Sequence, residues 1–348
     1  MLNDPQTNQE RPRSHKHGFL FILLNIAVIA YIAWREFGNG EHPRAIAIRD
    51  LQFGWLLLAI ACFAVMLFSE TWKYAYLLRA TGHDSPLRTG FNCAILGKYF
   101  DNITPAGFGG QPFQMRYLKQ SGCSDGVSGS LPILGLLGLQ FSFVLIALVV
   151  FIIGGSAFAG YLLTARFAVW LGLAAYSFIP VCIVLFAIAP KALIWVVAFL
   201  TKLLKKLHLI KDAESATQRA VDALTSYTDS VRYFSRQPKL IAVVFVFSLI
   251  FRLAMLCLPW FILRGFGAQI PFLDCFCQTT SIYALIALVP TPGNSGAAEA
   301  SFYTVFSALS PGSVFWAMLV WRLLCYYSWL FFGAGYYISE TIRDNKAS

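Results

Sequence analysis

Residues 97–112 read GKYFDNITPAGFGGQP, and residues 287–300 read ALVPTPGNSGAAEA. In both stretches a Thr-Pro pair and a glycine-rich turn interrupt an apolar, helix-like pattern. Proline lacks the backbone N–H that a helix uses, and glycine readily adopts non-helical dihedral angles. A continuous helix cannot pass through either stretch, so we predict two broken-helix turns. The turn residues are Thr104, Pro105, Gly107, Gly109 and Gly110 in the first, and Thr291, Pro292, Gly293 and Gly296 in the second.

The composition around these turns is that of a membrane protein. Of the 348 residues, 57% are hydrophobic and 13% are charged, whereas soluble domains have roughly 45–50% apolar and about 25% charged residues. Several apolar stretches are long enough to cross a hydrocarbon core of roughly 30 Å as a helix rising about 1.5 Å per residue. We therefore expect an all-α integral membrane protein rather than a soluble domain.

About six of these stretches are predicted to be transmembrane helices, and the loop charges predict their direction. The segment 191–239 carries many more basic than acidic residues, whereas residues 154–164 carry no charge. Basic loops stay in the cytoplasm, so we predict a multi-pass protein of the cell membrane with both termini cytoplasmic. The first crossing follows a basic run without a small-residue cleavage site, which favours a retained anchor over a signal peptide. The predicted crossings are about 18–34, 53–75, 130–154, 167–189, 240–263 and 313–338.

The domain organisation follows from these crossings. A cytoplasmic tail, 1–17, precedes one transmembrane domain, 18–338, and a second cytoplasmic tail, 339–348, follows it. Within the domain, two repeat halves, about 53–154 and 240–338, are separated in the chain by a cytoplasmic connecting segment of about 191–239.

The two broken segments enter the membrane from opposite sides in this topology. The first follows a crossing that runs inward and the second follows a crossing that runs outward, as in an inverted repeat. Irregular backbone at membrane depth must be shielded by protein or line a polar cavity, because unsatisfied amides are costly in hydrocarbon. We therefore predict two re-entrant hairpins whose turns share one site near the midplane. The alternative is that both clusters are ordinary loops between crossings.

Two arginines are predicted to lie inside the membrane. Arg252 lies well inside the crossing 240–263, and Arg322 falls within the last crossing. An arginine at the membrane centre costs at least about 2.5–3.5 kcal/mol, so each needs a partner or a watery cavity. Glu299, which follows the second turn, is the candidate partner. These residues either form a structural ion pair between helices or bind a charged substrate.

The same region is predicted to bind an anionic lipid headgroup. Half-helices that begin after Gly110 and Gly296 would offer free N–H groups to a phosphate, and an arginine adds a bidentate contact. A polar helix end at the inner interface would equally explain the residues that flank the first turn. For Glu70 and Lys73, near the cytoplasmic end of their crossing, we predict interfacial snorkelling. The candidate substrate-binding residues are Lys98, Asp101, Asn102, Gln111, Arg116, Arg252, Glu299 and Arg322.

Catalysis, metals, cofactors and nucleic acids are not indicated. The cysteines lie mostly in apolar segments, and the histidines share no ligand spacing. The net charge of +10 resides largely in loops, where basic residues determine topology and contact anionic lipids. The sequence contains no Ser-His-Asp, Cys-His, HExxH or Walker A constellation. We therefore predict no catalytic residue, no metal site, no cofactor and no nucleic-acid partner.

The two motifs together resemble those of a known family. They read G-K-x-x-D-N-x-T-P-x-G-x-G-G-x-P from Gly97 to Pro112, and P-T-P-G-x-x-G-x-x-E from Pro290 to Glu299. In this order they resemble the lysylphosphatidylglycerol synthase transmembrane family, the flippase-like domain that also forms the N-terminal part of MprF-type proteins. In the best-known members this domain accompanies a cytosolic synthase that transfers lysine from lysyl-tRNA to phosphatidylglycerol, and it is thought to flip the product outward. Few residues follow the last predicted crossing, so we expect no aminoacyl-transferase domain in this chain.

Three functions are compatible with these features. The favoured one is a flippase-like transporter that translocates an anionic or aminoacylated phospholipid, or a polyprenyl-phosphate-linked lipid. The alternatives are a membrane component of a phosphatidylglycerol lysyltransferase or other lipid-modifying enzyme, and a scaffold for a separate enzyme. The lack of a catalytic motif disfavours an enzyme. The predicted partner is the lipid itself, and a separate synthase and a second copy of the chain are left open.

Overall fold

The structure is a computed structural model in which every described regular element is a helix. It describes residues 51–104, 107, 109–153, 163–188, 237–289, 291–307 and 313–347, together with isolated positions between 195 and 221. The predicted crossing 18–34, the tail 1–17 and most of the connecting segment 191–239 lie outside the described residues. The helices are α1 (Phe53–Ala80), α2 (Pro86–Ile103), α3 (Gly110–Gln120), α4 (Asp125–Ile153), α5 (Leu163–Ile188), α6 (Pro238–Gly265), α7 (Phe272–Ile286), α8 (Ala297–Phe306), α9 (Val314–Arg322) and α10 (Ser328–Ala347).

Four of the described helical stretches are long and apolar enough to cross a membrane. These are α1, α4, α6 and Val314–Tyr336, in which the π-helical turn Leu323–Tyr327 joins α9 to α10. They match four of the predicted crossings. Helix α5, Leu163–Ile188, coincides with nearly all of the predicted crossing 167–189. The prediction of an all-α membrane protein is confirmed, and helix α10 continues to Ala347 beyond the predicted end of the last crossing.

The helices break at the two predicted places. Helix α2 ends at Ile103 and α3 begins at Gly110; likewise α7 ends at Ile286 and α8 begins at Ala297 after a short 3-10 turn, Pro292–Asn294. The second turn needs left-handed backbone, because φ is +57° at Gly293 and +87° at Gly296. Each half of the described chain therefore has the same order: a long helix, a broken helix, then another long helix.

A shared apolar core holds these elements together. Helices α1 and α6 lie against one another and make the most extensive helix–helix contact among the described elements. Trp329 of α10 packs at 5.4 Å from Phe63 of α1 and at 6.5 Å from Phe251 of α6, measured between ring centroids. All three side chains belong to the largest buried cluster. This core fixes the relative positions of the helices that surround the two turns.

Candidate headgroup site

Both broken-helix turns border one cavity of about 300 Å³. Gly107 of the first turn and Asn294 of the second line it. The remaining walls come from α1, α2, α3, α4, α5, α6 and α7. The polar and charged side chains among its lining residues are Glu70, Tyr74, Lys98, Asp101, Gln111, Gln114, Gln140, Tyr176, Arg252, Tyr283 and Asn294.

A buried charge cluster forms one side of this cavity. The Lys73 ammonium lies 2.8 Å from Glu70 Oε2, and the Lys98 ammonium lies 4.0 Å from Glu70 Oε1. Glu70 is 2% exposed and Lys73 is 0% exposed. The predicted interfacial snorkelling of these two residues is therefore wrong, because a snorkelling side chain keeps its charged end in water. The face of α1 that carries Glu70 and Lys73 lies against α2, so these two side chains contact another helix instead of the solvent.

Arg252 lines the cavity without a carboxylate partner among the described residues. Its Nε donates to the Leu139 carbonyl oxygen at 3.1 Å, and its Nη2 donates to the Tyr176 hydroxyl. The guanidinium also lies 5.6 Å from the ring centroids of Phe143 and Tyr176. These contacts orient the side chain and satisfy part of its hydrogen-bonding capacity, but no carboxylate of the described ranges lies within ion-pair distance of the guanidinium.

The first turn is held by its own side chains. The Gly110 N–H donates to Asp101 Oδ1 at 2.9 Å, and the Gly109 N–H donates to the Thr104 hydroxyl at 2.9 Å. The Thr104 hydroxyl in turn donates to the Phe100 carbonyl oxygen at 2.7 Å. Asp101 therefore occupies the N-terminus of α3, where a carboxylate is favoured by the helix dipole.

The second turn is held by a buried ion pair. Arg322 Nε lies 2.5 Å from Glu299 Oε1, and the same guanidinium donates to the Gly293 carbonyl oxygen at 3.2 Å and to the Ser295 hydroxyl at 2.9 Å. The Gly296 N–H donates to Glu299 Oε2 at 2.7 Å. The predicted pairing of Glu299 with an intramembrane arginine is thus found, and the arginine is Arg322.

In both turns, a carboxylate of this chain lies at the start of the half-helix. Free N–H groups were predicted in the half-helices that begin after Gly110 and Gly296, and the N–H groups of these two glycines themselves each donate to a carboxylate of this chain. A carboxylate close to the start of each half-helix supplies the negative charge that the helix end favours.

The structure divides the predicted site residues into two groups. Lys98, Asp101, Gln111, Arg252 and Gly107 line the cavity. The other four candidate substrate-binding residues do not line it: Asn102 contributes its carbonyl to a contact with Tyr326, Arg116 is exposed, and Glu299 and Arg322 pair with one another. Pro105 lies outside the described residues.

Several cavity residues were missed by the sequence predictions. Glu70 was assigned to the interface, and Gln114, Gln140, Tyr176 and Tyr283 were not considered. Gln140 had a readable signal, because it is the one amide side chain in the apolar sequence of α4, and polar residues inside membranes often have functions. The tyrosines carried no comparable signal, since tyrosine is common throughout this chain.

The long apolar helices and the charged cavity define a polytopic helical membrane protein with an internal polar site. The chain belongs to the family described as the lysylphosphatidylglycerol synthase TM region, whose profile matches residues 19–333. A UPF0104 membrane protein of Archaeoglobus fulgidus is 26% identical over 322 residues, which cover 90% of this chain and 94% of that protein. No solved structure matches the chain significantly.

Proposed function

We propose that this chain is a flippase-like lipid transporter of the cell membrane, and that its cavity receives the anionic phosphate of a lipid headgroup. The observation that carries the proposal is Arg252, a cation inside an apolar helix that lines the cavity and has no acidic partner among the described residues. An unpaired arginine at membrane depth is costly. A bound phosphate would offset that cost through charge-assisted hydrogen bonds.

The charges around the cavity are consistent with a single added anion. Three cations, Lys73, Lys98 and Arg252, face two carboxylates, Glu70 and Asp101. Lys73 lies 2.8 Å from Glu70, whereas Lys98 lies 4.0 Å from the same carboxylate and Arg252 has no described carboxylate within ion-pair distance, so Lys98 and Arg252 are the cations that would contact a ligand. One phosphodiester, with a single negative charge, would neutralise the cluster.

The shape of the cavity favours a headgroup over a whole lipid. Its volume of about 300 Å³ lies at the lower end of the range of roughly 300–1,000 Å³ for ligand pockets. Phe178 of α5 lines the cavity and is also 62% exposed, and we propose that the cavity opens beside it to the outer surface of the helix bundle. A lipid could place its headgroup inside while its acyl chains remain in the bilayer.

The repeated element order supports an inverted repeat for this transporter. The proposed arrangement has about six crossings, cytoplasmic termini and two hairpins that enter from opposite sides. The headgroup site between the two turns would then lie near the midplane, where alternating access can expose it to either leaflet.

Reconstitution in liposomes tests this function. We expect the wild-type protein to move acyl-labelled fluorescent phosphatidylglycerol between leaflets, as measured with a membrane-impermeant quencher. Arg252→Gln should slow this movement at least about tenfold, because a hydrogen-bonded charge that contacts the phosphate is lost. The matched control is Arg264→Gln, on the same helix, since Arg264 contacts Gln269 and Trp55 and does not line the cavity. Equal rates for wild type and Arg252→Gln would contradict the proposed site.

A second candidate function is favoured by the description of the family. A lysylphosphatidylglycerol synthase region could serve as the membrane component of a lysyltransferase. If so, the purified protein supplied with lysyl-tRNA and phosphatidylglycerol would form lysylphosphatidylglycerol. In liposomes without lysyl-tRNA, it would not move lipids between leaflets. The same liposomes can therefore separate the two functions.

A further inference from the structure

Gln140 is a buried polar residue that the proposed phosphate site does not use. It belongs to α4, is 6% exposed and lines the cavity beside Leu136 and Leu139. Its amide oxygen, Oε1, is buried and has no hydrogen-bond partner among the residues that the structure describes. Buried acceptors are nearly always paired, so an unpaired one in a cavity wall calls for an explanation.

The acceptors around the cavity differ in how far they are already engaged. Glu70 Oε2 binds the Lys73 ammonium, and Asp101 Oδ1 accepts from the Gly110 N–H. The Gln114 amide oxygen accepts from the Tyr74 hydroxyl, and its amide nitrogen donates to the Cys93 carbonyl oxygen. The amide oxygen of Gln140, by contrast, accepts no hydrogen bond from the described residues. The last torsion of a glutamine side chain is soft, so the amide can turn this oxygen towards a ligand.

A phosphate alone would not satisfy this acceptor. Phosphodiester oxygens accept hydrogen bonds from Lys98 and Arg252, but they have no hydrogen to give to Gln140. We propose that the transported headgroup carries a hydrogen-bond donor beyond its phosphate, a hydroxyl or a protonated amine, and that Gln140 accepts from it and selects for it. This inference rests on the proposed lipid transport and narrows its substrate class.

Because the Gln140 amide is neutral, we expect it to select headgroups that have a hydrogen-bond donor and not headgroups of a particular charge. Hydroxyl groups, as in a glycerol or sugar headgroup, and ammonium groups can both donate to Gln140. The Glu70 and Asp101 carboxylates, which line the same cavity, would add a charge attraction for an ammonium group that a neutral hydroxyl lacks. A headgroup that ends in a bare alkyl group would leave the amide oxygen unpaired, and sites built to bind a donor discriminate against such analogues.

A comparison of two lipids of equal charge tests the inference. Phosphatidylglycerol and phosphatidylmethanol are both phosphodiesters with one negative charge, but only the first has headgroup hydroxyls. We expect the wild-type protein in liposomes to move acyl-labelled phosphatidylglycerol about tenfold faster than the matching phosphatidylmethanol, because one hydrogen bond is lost and its acceptor stays buried. Labelled phosphatidylethanolamine distinguishes an amine donor from a hydroxyl donor.

The variant Gln140→Met should abolish this preference while moving both lipids. The preference is a ratio of two rates in one sample, so a merely structural effect of the substitution would lower both rates alike. The matched control is Gln278→Met on α7, because Gln278 also has a buried, unpartnered amide oxygen but does not line the cavity. It should keep the preference.

The failures of the two proposals are distinguishable. Equal wild-type rates for phosphatidylglycerol and phosphatidylmethanol would overturn the selectivity and leave lipid transport standing. A preference that persists in Gln140→Met would overturn the role of this residue. Movement of none of the three lipids by the wild-type protein would overturn the proposed function, and the selectivity with it.

Discussion

Arg322 and Arg252 are both arginines of apolar helices, yet their surroundings give them different roles. Arg322 is 5% exposed and binds a carboxylate, a carbonyl and a hydroxyl of the second turn and its adjoining helix. Arg252 binds a hydroxyl and a carbonyl and lines the cavity. For Arg322 the structural ion pair is therefore the better interpretation. It positions the turn that carries Asn294 into the cavity wall.

The buried ion pair predicts a strong effect on stability. Arg322→Gln leaves the Glu299 carboxylate buried without its cation, which typically costs about 3–5 kcal/mol. We expect Arg322→Gln and Glu299→Gln each to lower the apparent unfolding temperature in detergent, and the double variant to lose less than the sum of both. Lys119→Gln is the control, since its pair with Asp125 is 66% and 79% exposed and surface pairs contribute about 0–1 kcal/mol. Strictly additive losses would argue against the pair.

The first broken helix depends on two glycines where its halves cross. A Cβ at Gly97 would lie 2.1 Å from Gln114 Nε2, and a Cβ at Gly110 would lie 2.5 Å from the Gly97 carbonyl oxygen. These glycines therefore permit the close approach of α2 and α3, and the motif does more than form the turn. The close approach places Asp101 and Gln111 on the same cavity wall.

Gly110→Ala should therefore destabilise the hairpin. The obstructing atoms are Asp101 Oδ1 and the Gly97 carbonyl oxygen, each 2.5 Å from the added Cβ. Because the second belongs to the backbone, α2 and α3 must separate, and overpacking of this kind costs typically about 1–3 kcal/mol. The control is Gly129→Ala in α4, where a Cβ meets nothing within 4 Å and helix propensity improves by up to about 1 kcal/mol. Thermal unfolding of both variants in detergent provides the measurement. A Gly110→Ala protein as stable as Gly129→Ala would show that the halves do not pack this closely.

At the scale of the whole molecule, the helices that the structure describes include two sets of elements in the same order. In one set α1 is followed by the broken helix α2–α3 and then α4; in the other α6 is followed by α7–α8 and then α9–α10. The loop between α1 and α2 therefore corresponds to the loop between α6 and α7. In an inverted repeat these equivalent loops lie on opposite sides of the membrane.

Cysteine labelling in cells tests this arrangement. Asp84 and Gln269 are exposed residues in the two equivalent loops, and the native cysteines are all buried or half-buried, which keeps the background low. We expect a membrane-impermeant maleimide to label Gln269→Cys in intact cells and Asp84→Cys only after permeabilisation, because the distribution of basic segments predicts that the first loop lies inside. Labelling of both positions from one side would contradict the inverted repeat.

The sequence by itself determined the class of protein and the two breaks in its helices. Both depend on local properties: the length of apolar runs sets the crossings, and proline and glycine interrupt a helix wherever they occur. The pairing of Glu299 with an intramembrane arginine was also predictable, because a buried arginine requires a partner.

Only the tertiary structure decided which charges meet. The spanning helices are apolar on nearly all sides, so periodicity does not reveal which face of each helix turns inward. Glu70 and Lys73 therefore appeared interfacial, although α1 buries them beside Lys98. Arg322 appeared equivalent to Arg252, although only Arg252 lines the cavity. Such partners depend on the rotation and crossing of helices far apart in the chain, which local sequence patterns do not specify.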